Sequence, residues 1–110
     1  MTRKERERLF RKQEIIDASV KLFAGKGFNN TTLDEIAASS EFGKGTIYNY
    51  FNSKEEIYSA IVEDVSINLK QIVQQADKAT ESASDFIKTY TSGLFIYCLS
   101  NKEAFVLFVR

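Results

Sequence analysis

The sequence predicts an all-α fold, and three observations carry that prediction. The 110 residues contain no proline, so nothing in the chain forbids long helices. Ala, Glu, Lys, Ile and Leu recur throughout, a composition that favours helix. Apolar residues return at three- and four-residue steps, and strand-like alternation is hard to find. With 44% apolar residues, a chain of this length can build one ordinary domain or two small helical ones.

Charge dominates residues 1–14, where Arg3, Lys4, Arg6, Arg8, Arg11 and Lys12 stand against Glu5, Glu7 and Glu14. Two readings stay open. The stretch is either the solvated, frayed start of the first helix, or a basic arm that touches a nucleic-acid backbone or minor groove. Ile15, Ile16, Ser19, Leu22 and Phe23 form one stripe, so the first helix runs from about Lys4 or Arg11 to about Ala24. Gly25 and Gly27 stop it, because glycine takes the left-handed C-cap conformation at little cost. Phe28 folds back onto the stripe, and Asn29-Asn30 makes a turn.

The second helix opens at Thr31 or Thr32. Thr32-Leu33-Asp34-Glu35 fits a capping box, in which Glu35 returns a bond to the cap. A helix N-terminus of this kind also offers N–H groups and a positive dipole end to a phosphate. Leu33, Ile36 and Ala37 form the inner face, and residues 39–43 make a tight turn that Phe42 can plug.

The segment Lys44-Gly45-Thr46-Ile47-Tyr48-Asn49-Tyr50-Phe51 then organises the chain. On a helix, Ile47 and Phe51 share one side and Gly45 and Asn49 share the opposite one. Thr46 lies beside the second face, and Tyr48 and Tyr50 fall on the flanks. A cation, a glycine, a hydroxyl, an amide and two tyrosines suit phosphates and base edges. A short helix, a tight turn and a second short helix read as a helix-turn-helix, with 44–51 as the DNA recognition helix.

Ser53 caps a fourth helix, with Glu56 completing a second box. That helix carries Ile57, Ala60, Ile61, Val65, Leu69, Ile72 and Val73 and runs from about Lys54 to about Ala79, either as a connector to a second domain or simply as a core helix, two compatible readings. The polar stretch 80–84 breaks the chain. A fifth helix spans about Ser84 to Leu99, with Gly93 inside it at a close crossing. Asn101 caps a sixth, whose apolar run 104–109 calls for burial on several sides. The domains expected are 1–53, which binds DNA, and 54–110.

The net charge is zero but unevenly placed. Residues 1–54 hold ten Lys/Arg and seven Asp/Glu, whereas residues 55–110 hold five and eight. A basic half followed by an acidic half fits a chain whose first half meets phosphate. Catalysis is not expected, since there is no histidine, no glycine-rich phosphate loop and no metal-ligand cluster. No cofactor and no metal are expected. The lone Cys98 lies among apolar residues and reads as a small buried hydrophobe in a reducing compartment. The N-terminus is charged and the longest apolar runs are six residues, so a soluble, cytoplasmic protein without membrane contact is expected.

The pattern from Phe28 to Ala37, followed by Lys44–Phe51 and Ser53-Lys54-Glu55, closely resembles the TetR-type family of transcriptional regulators. Ile15-Ile16-Asp17-Ala18 and Leu22-Phe23 through Gly27 fit as well. The resemblance implies a three-helix DNA-binding domain, then a helical C-terminal domain that binds a small ligand and dimerises. It implies phosphate contacts at Thr31 or Thr32 and at Lys54, and backbone and base contacts at Lys44 and Gly45. It further implies sugar and phosphate packing at Tyr48 and Tyr50, and specificity at Thr46 and Asn49. Glu41 stands where the family usually has glycine, which predicts strain in the turn. Family members are longer, so the chain is expected to be a fragment holding part of the C-terminal domain. The function expected is a repressor, homodimeric in its full-length parent. It would bind a palindromic double-stranded operator and be released by a small-molecule effector of unknown identity. The alternative is a helical protein–protein module using the apolar C-terminal run. Tyr90, Phe95, Tyr97, Phe105 and Phe108 suit either an effector pocket or plain core.

Overall fold

A computed structural model describes residues 1–79 and 81–109, except for the side chains of Lys44 and Ala79. Thr80 and Arg110, at the edges of two expected segments, lie outside the described residues. The elements are α1 (Arg3–Lys26), α2 (Leu33–Ser39), α3 (Lys44–Ile47), α4 (Lys54–Ala79), α5 (Ala83–Ser100) and α6 (Lys102–Val109). No strand occurs among the described residues. The chain divides into two compact units, Met1–Ile61 and Val62–Arg110. The first two turns of α4 thus fall in the first unit.

In the first unit, α1 begins earlier than its apolar stripe because Thr2 caps it, accepting from the Glu5 N–H at 3.2 Å. The helix passes through Gly25 and stops at Gly27, whose φ of 91° ends it. Residues 1–13 are exposed, whereas Ile15, Ile16, Ala18, Ser19 and Phe23 are buried. Ser19 sits in that core because its hydroxyl donates to the Ile15 carbonyl at 2.7 Å. Phe28 does fold back, with its ring 5.1 Å from Phe23 and 5.4 Å from Tyr58.

The capping box of α2 forms as expected. The Glu35 N–H donates to the Thr32 hydroxyl at 3.2 Å, and the Thr32 N–H to the Glu35 carboxylate at 3.2 Å. At the other end, the Phe42 N–H donates to Ala37 O at 2.9 Å and the Glu41 N–H to Ala38 O at 3.4 Å. This is a Schellman motif with Glu41 in the left-handed position at φ 63°. The sharp corner sends the chain directly into α3. At α4, Ser53 accepts from the Glu56 N–H at 3.2 Å. The Glu56 carboxylate instead reaches the Asn52 N–H at 2.7 Å, one residue before the position a capping box would use.

In the second unit, Val65 and Ala76 of α4 are buried, but α5 buries no residue fully. Gly93 lies at a close crossing, since a Cβ there would come 3.0 Å from an Ile72 methyl. Three expectations are corrected. Cys98 is half-buried, and the apolar run of α6 buries Leu107 while leaving Val106 and Val109 exposed. Asn101 does not cap α6 with its side chain. Its amide donates back to Tyr97 O at 3.2 Å, closing α5, and its own carbonyl accepts from the Phe105 N–H. The axes of α5 and α6 bend by 104°, and no single helix among the described residues is long and apolar enough to cross a membrane.

Candidate nucleic-acid interface

The decisive geometry is the orientation of 44–51. Ile47 is wholly buried and Phe51 nearly so, while Gly45 and Asn49 are exposed and Tyr48 is 47% exposed. Thr46 and Tyr50 are half-buried. The segment therefore anchors by its apolar edge and offers its polar edge to solvent.

The helix is shorter than expected, which corrects its length. Regular α-helix covers only Lys44–Ile47 and gives way to turns at 48–50. The Asn49 N–H donates to Thr46 O at 3.1 Å and the Tyr50 N–H to Ile47 O at 2.9 Å, whereas the Phe51 N–H reaches Ile47 O at 3.0 Å. Three-residue bonds tighten the last turn. Tyr and Asn are weak helix formers.

The other site residues divide by burial. Thr32 is exposed at the start of α2. Thr31 is buried, and its hydroxyl donates to Gly27 O at 2.7 Å and more weakly to Leu22 O at 3.4 Å. Of the two threonines, only Thr32 presents a surface to a phosphate. Thr31 instead ties the start of α2 to the end of α1. Gly45 has open space where a Cβ would project. The side chain of Lys44 lies outside the described residues.

Lys54 is half-buried. Its ammonium donates to Phe28 O at 2.8 Å and to Thr31 O at 3.1 Å, and it sits 4.4 Å from the centre of the Phe28 ring. Two of its three donors are thus spent within the protein, and the lysine fixes the turn before α2 to the start of α4.

Around the N-terminus of α2, Lys26 forms an ion pair with Glu35. That ammonium, together with bonds from Thr32, holds the Glu35 carboxyl below its ordinary range. Beside α3 lies an open groove of about 840 Å³, lined by Arg6, Glu7, Phe10, Arg11 and Glu14 of α1 and by Glu41, Phe42, Gly43 and Thr46, so that two cations face three carboxylates. Also from α1, the Arg8 guanidinium donates to the Asn49 carbonyl at 3.0 Å and lies 4.6 Å from the centre of the Tyr50 ring.

The family described as bacterial regulatory proteins, tetR family, matches residues 15–61. Residues 15–61 form a TetR-family N-terminal domain. The match runs from the α1 stripe to the first turns of α4. Over 85 residues the chain is 38% identical to the uncharacterized HTH-type transcriptional regulator YhgD of Bacillus subtilis, covering 77% of this chain and 43% of that protein. It is 30% identical over 95 residues to IcaR of Staphylococcus aureus, a negative transcriptional regulator of a biofilm operon, covering 86% and 50%. A crystal structure of a γ-butyrolactone receptor, an ArpA-like protein, superposes with a TM-score of 0.82 at 28% identity, over 91% of this chain and 50% of the other. The chain thus spans about half the length of the relatives it matches.

Sequence reasoning placed the 44–51 segment and missed Arg8. No local pattern could have found it, because the residue it holds lies 41 positions away.

Proposed function

We propose that the chain is the DNA-binding part of a sequence-specific transcriptional repressor. The observation that carries this reading is the polar, solvent-facing edge of 44–51, held by Ile47 and Phe51. In this reading Lys44, Gly45, Thr46, Tyr48 and Asn49 enter the major groove, with Asn49 and Thr46 reading bases. Thr32 and Tyr50 meet the flanking backbone. Thr31 and Lys54 act mainly by holding α2 and α4 in place.

The full-length protein would be a cytoplasmic homodimer on a palindromic operator, since a two-fold protein presents two copies of the reading segment. Repression is supported by the likeness to IcaR, a negative regulator. Release by a small-molecule effector is supported by the likeness to a γ-butyrolactone receptor, and the effector itself is unassigned. Ile87, Phe95, Ile96 and Leu99 are exposed on α5, which favours the second reading of a helical protein–protein module.

Selection from a random duplex library, followed by fluorescence anisotropy at about 50 and about 200 mM salt, tests this. Enrichment of a palindrome whose affinity falls steeply with salt is expected. Failure to enrich any sequence, with no retention of random duplex at the lower salt, would leave the protein–protein reading standing.

A further inference from the structure

The carbonyl of Asn49 presents a structural problem. Regular helix ends at Ile47, so the carbonyls that follow have no helical N–H to accept from. In an isolated turn, water would serve them and the end would fray. Here the Arg8 guanidinium, arriving from α1, donates to Asn49 O at 3.0 Å and lies against the Tyr50 ring at 4.6 Å. One turn further along α1, the Lys12 ammonium lies 5.5 Å from the centre of the Phe51 ring. Three consecutive residues, Asn49, Tyr50 and Phe51, are therefore each held by a cation of the first helix or its flank.

We propose that Arg8 is a positioning residue that sets the orientation of the DNA-reading segment and thereby its sequence specificity. The inference rests on the DNA-binding reading above. Arginine suits the task because its planar fork can donate to a carbonyl and stack on a ring at once. Lysine keeps the charge but offers no plane to stack. Thr46 and Asn49 belong to a segment with only one regular helical turn, so its carboxyl end needs an outside support to keep one conformation. Arg8 provides it without spending the exposed edge.

The test compares Arg8→Lys and Arg8→Met with the unsubstituted chain in three measurements. The first is affinity for a selected duplex and for a random duplex. The second is the salt dependence of each. The third is amide hydrogen exchange at residues 49–51 without DNA. Arg8→Lys should lose about tenfold in affinity for the selected duplex, the scale of one hydrogen bond to a charged donor, while random-duplex affinity and salt slope stay as they were. Both variants should exchange faster at Asn49, Tyr50 and Phe51. The proposal is overturned if Arg8→Lys behaves as the unsubstituted chain while Arg8→Met weakens on both duplexes equally with a smaller slope, the signature of a phosphate contact. It is also overturned if exchange at 49–51 is unchanged. Should the unsubstituted chain select no duplex, the DNA-binding reading falls and the exchange comparison alone decides whether Arg8 holds the segment.

Discussion

At Glu41 the backbone takes φ 63° in the C-terminal turn of α2, a region where a Cβ crowds the following carbonyl. The turn is imposed by two bonds, Phe42 N–H to Ala37 O and Glu41 N–H to Ala38 O, so the strain is local and held in place. Glu41→Gly should remove it. Relief of about 1–2 kcal/mol is partly offset by the greater freedom of glycine in the unfolded chain, about 0.4–1 kcal/mol. A net gain of roughly 0.5–1 kcal/mol is expected, read as a higher midpoint in urea. Gly45 shows the opposite balance. Apart from its chain neighbours and the backbone of its own helix, no atom lies within 4 Å of where its Cβ would stand, and alanine is the better helix former. Gly45→Ala should therefore leave stability unchanged or raise it by about 0.5–1 kcal/mol. It should nonetheless weaken binding to a selected duplex, because the added methyl stands on the exposed edge. Equal affinity in titrations of the two proteins would show that the edge does not approach DNA closely.

Single elements differ in how much of them the sequence exposes. The box opening α2 is readable from Thr32 and Glu35 alone, because both partners lie within one turn. Its energetics can be tested in the same terms. Thr32→Ala should cost about 1 kcal/mol. The pH dependence follows from Glu35, whose carboxyl is held below its ordinary value of 4.5 chiefly by Lys26. A depressed acid contributes stability that is present above the unfolded carboxylate value and is lost as pH falls through the lowered folded value. Thermal melts from neutral pH to about pH 3 should therefore show a loss of stability at the acid end that Glu35→Gln flattens. The length of α3 was harder to read. Burial of Ile47 and Phe51 is a matter of spacing, and spacing survives whether the backbone bonds run over three residues or four. What spacing omits is the weakness of Tyr48, Asn49 and Tyr50 as helix formers and the pull of Arg8 on their end. The roles of Thr31 and Lys54 were hidden for a related reason. Their polar atoms face carbonyls contributed by the Leu22–Thr31 stretch, and only the folded chain brings those together.

Over the whole chain, charge is distributed more sharply than a split into halves suggests. Residues 1–12 carry six Lys/Arg and two Asp/Glu, a net of +4, whereas residues 13–61 carry four and seven, a net of −3. The first unit thus owes its positive potential to the exposed start of α1. Of the two readings of that start, a solvated face or a DNA-contacting arm, the second puts Arg6 and Arg11 on phosphates, although both share the groove beside Thr46 with Glu7, Glu14 and Glu41. Each cation that displaces a counterion from duplex DNA adds about 0.9 to the slope of log affinity against log salt. The double variant Arg6→Gln, Arg11→Gln should therefore lower that slope by about 1.8 and weaken selected and random duplexes alike, leaving their ratio intact. That outcome is the reverse of the one expected at Arg8, where the ratio falls and the slope holds. Anisotropy titrations at several salt concentrations separate the two. An unchanged slope in the double variant would mean that the start of α1 is a solvated face, and that the phosphate contacts lie elsewhere in the first unit.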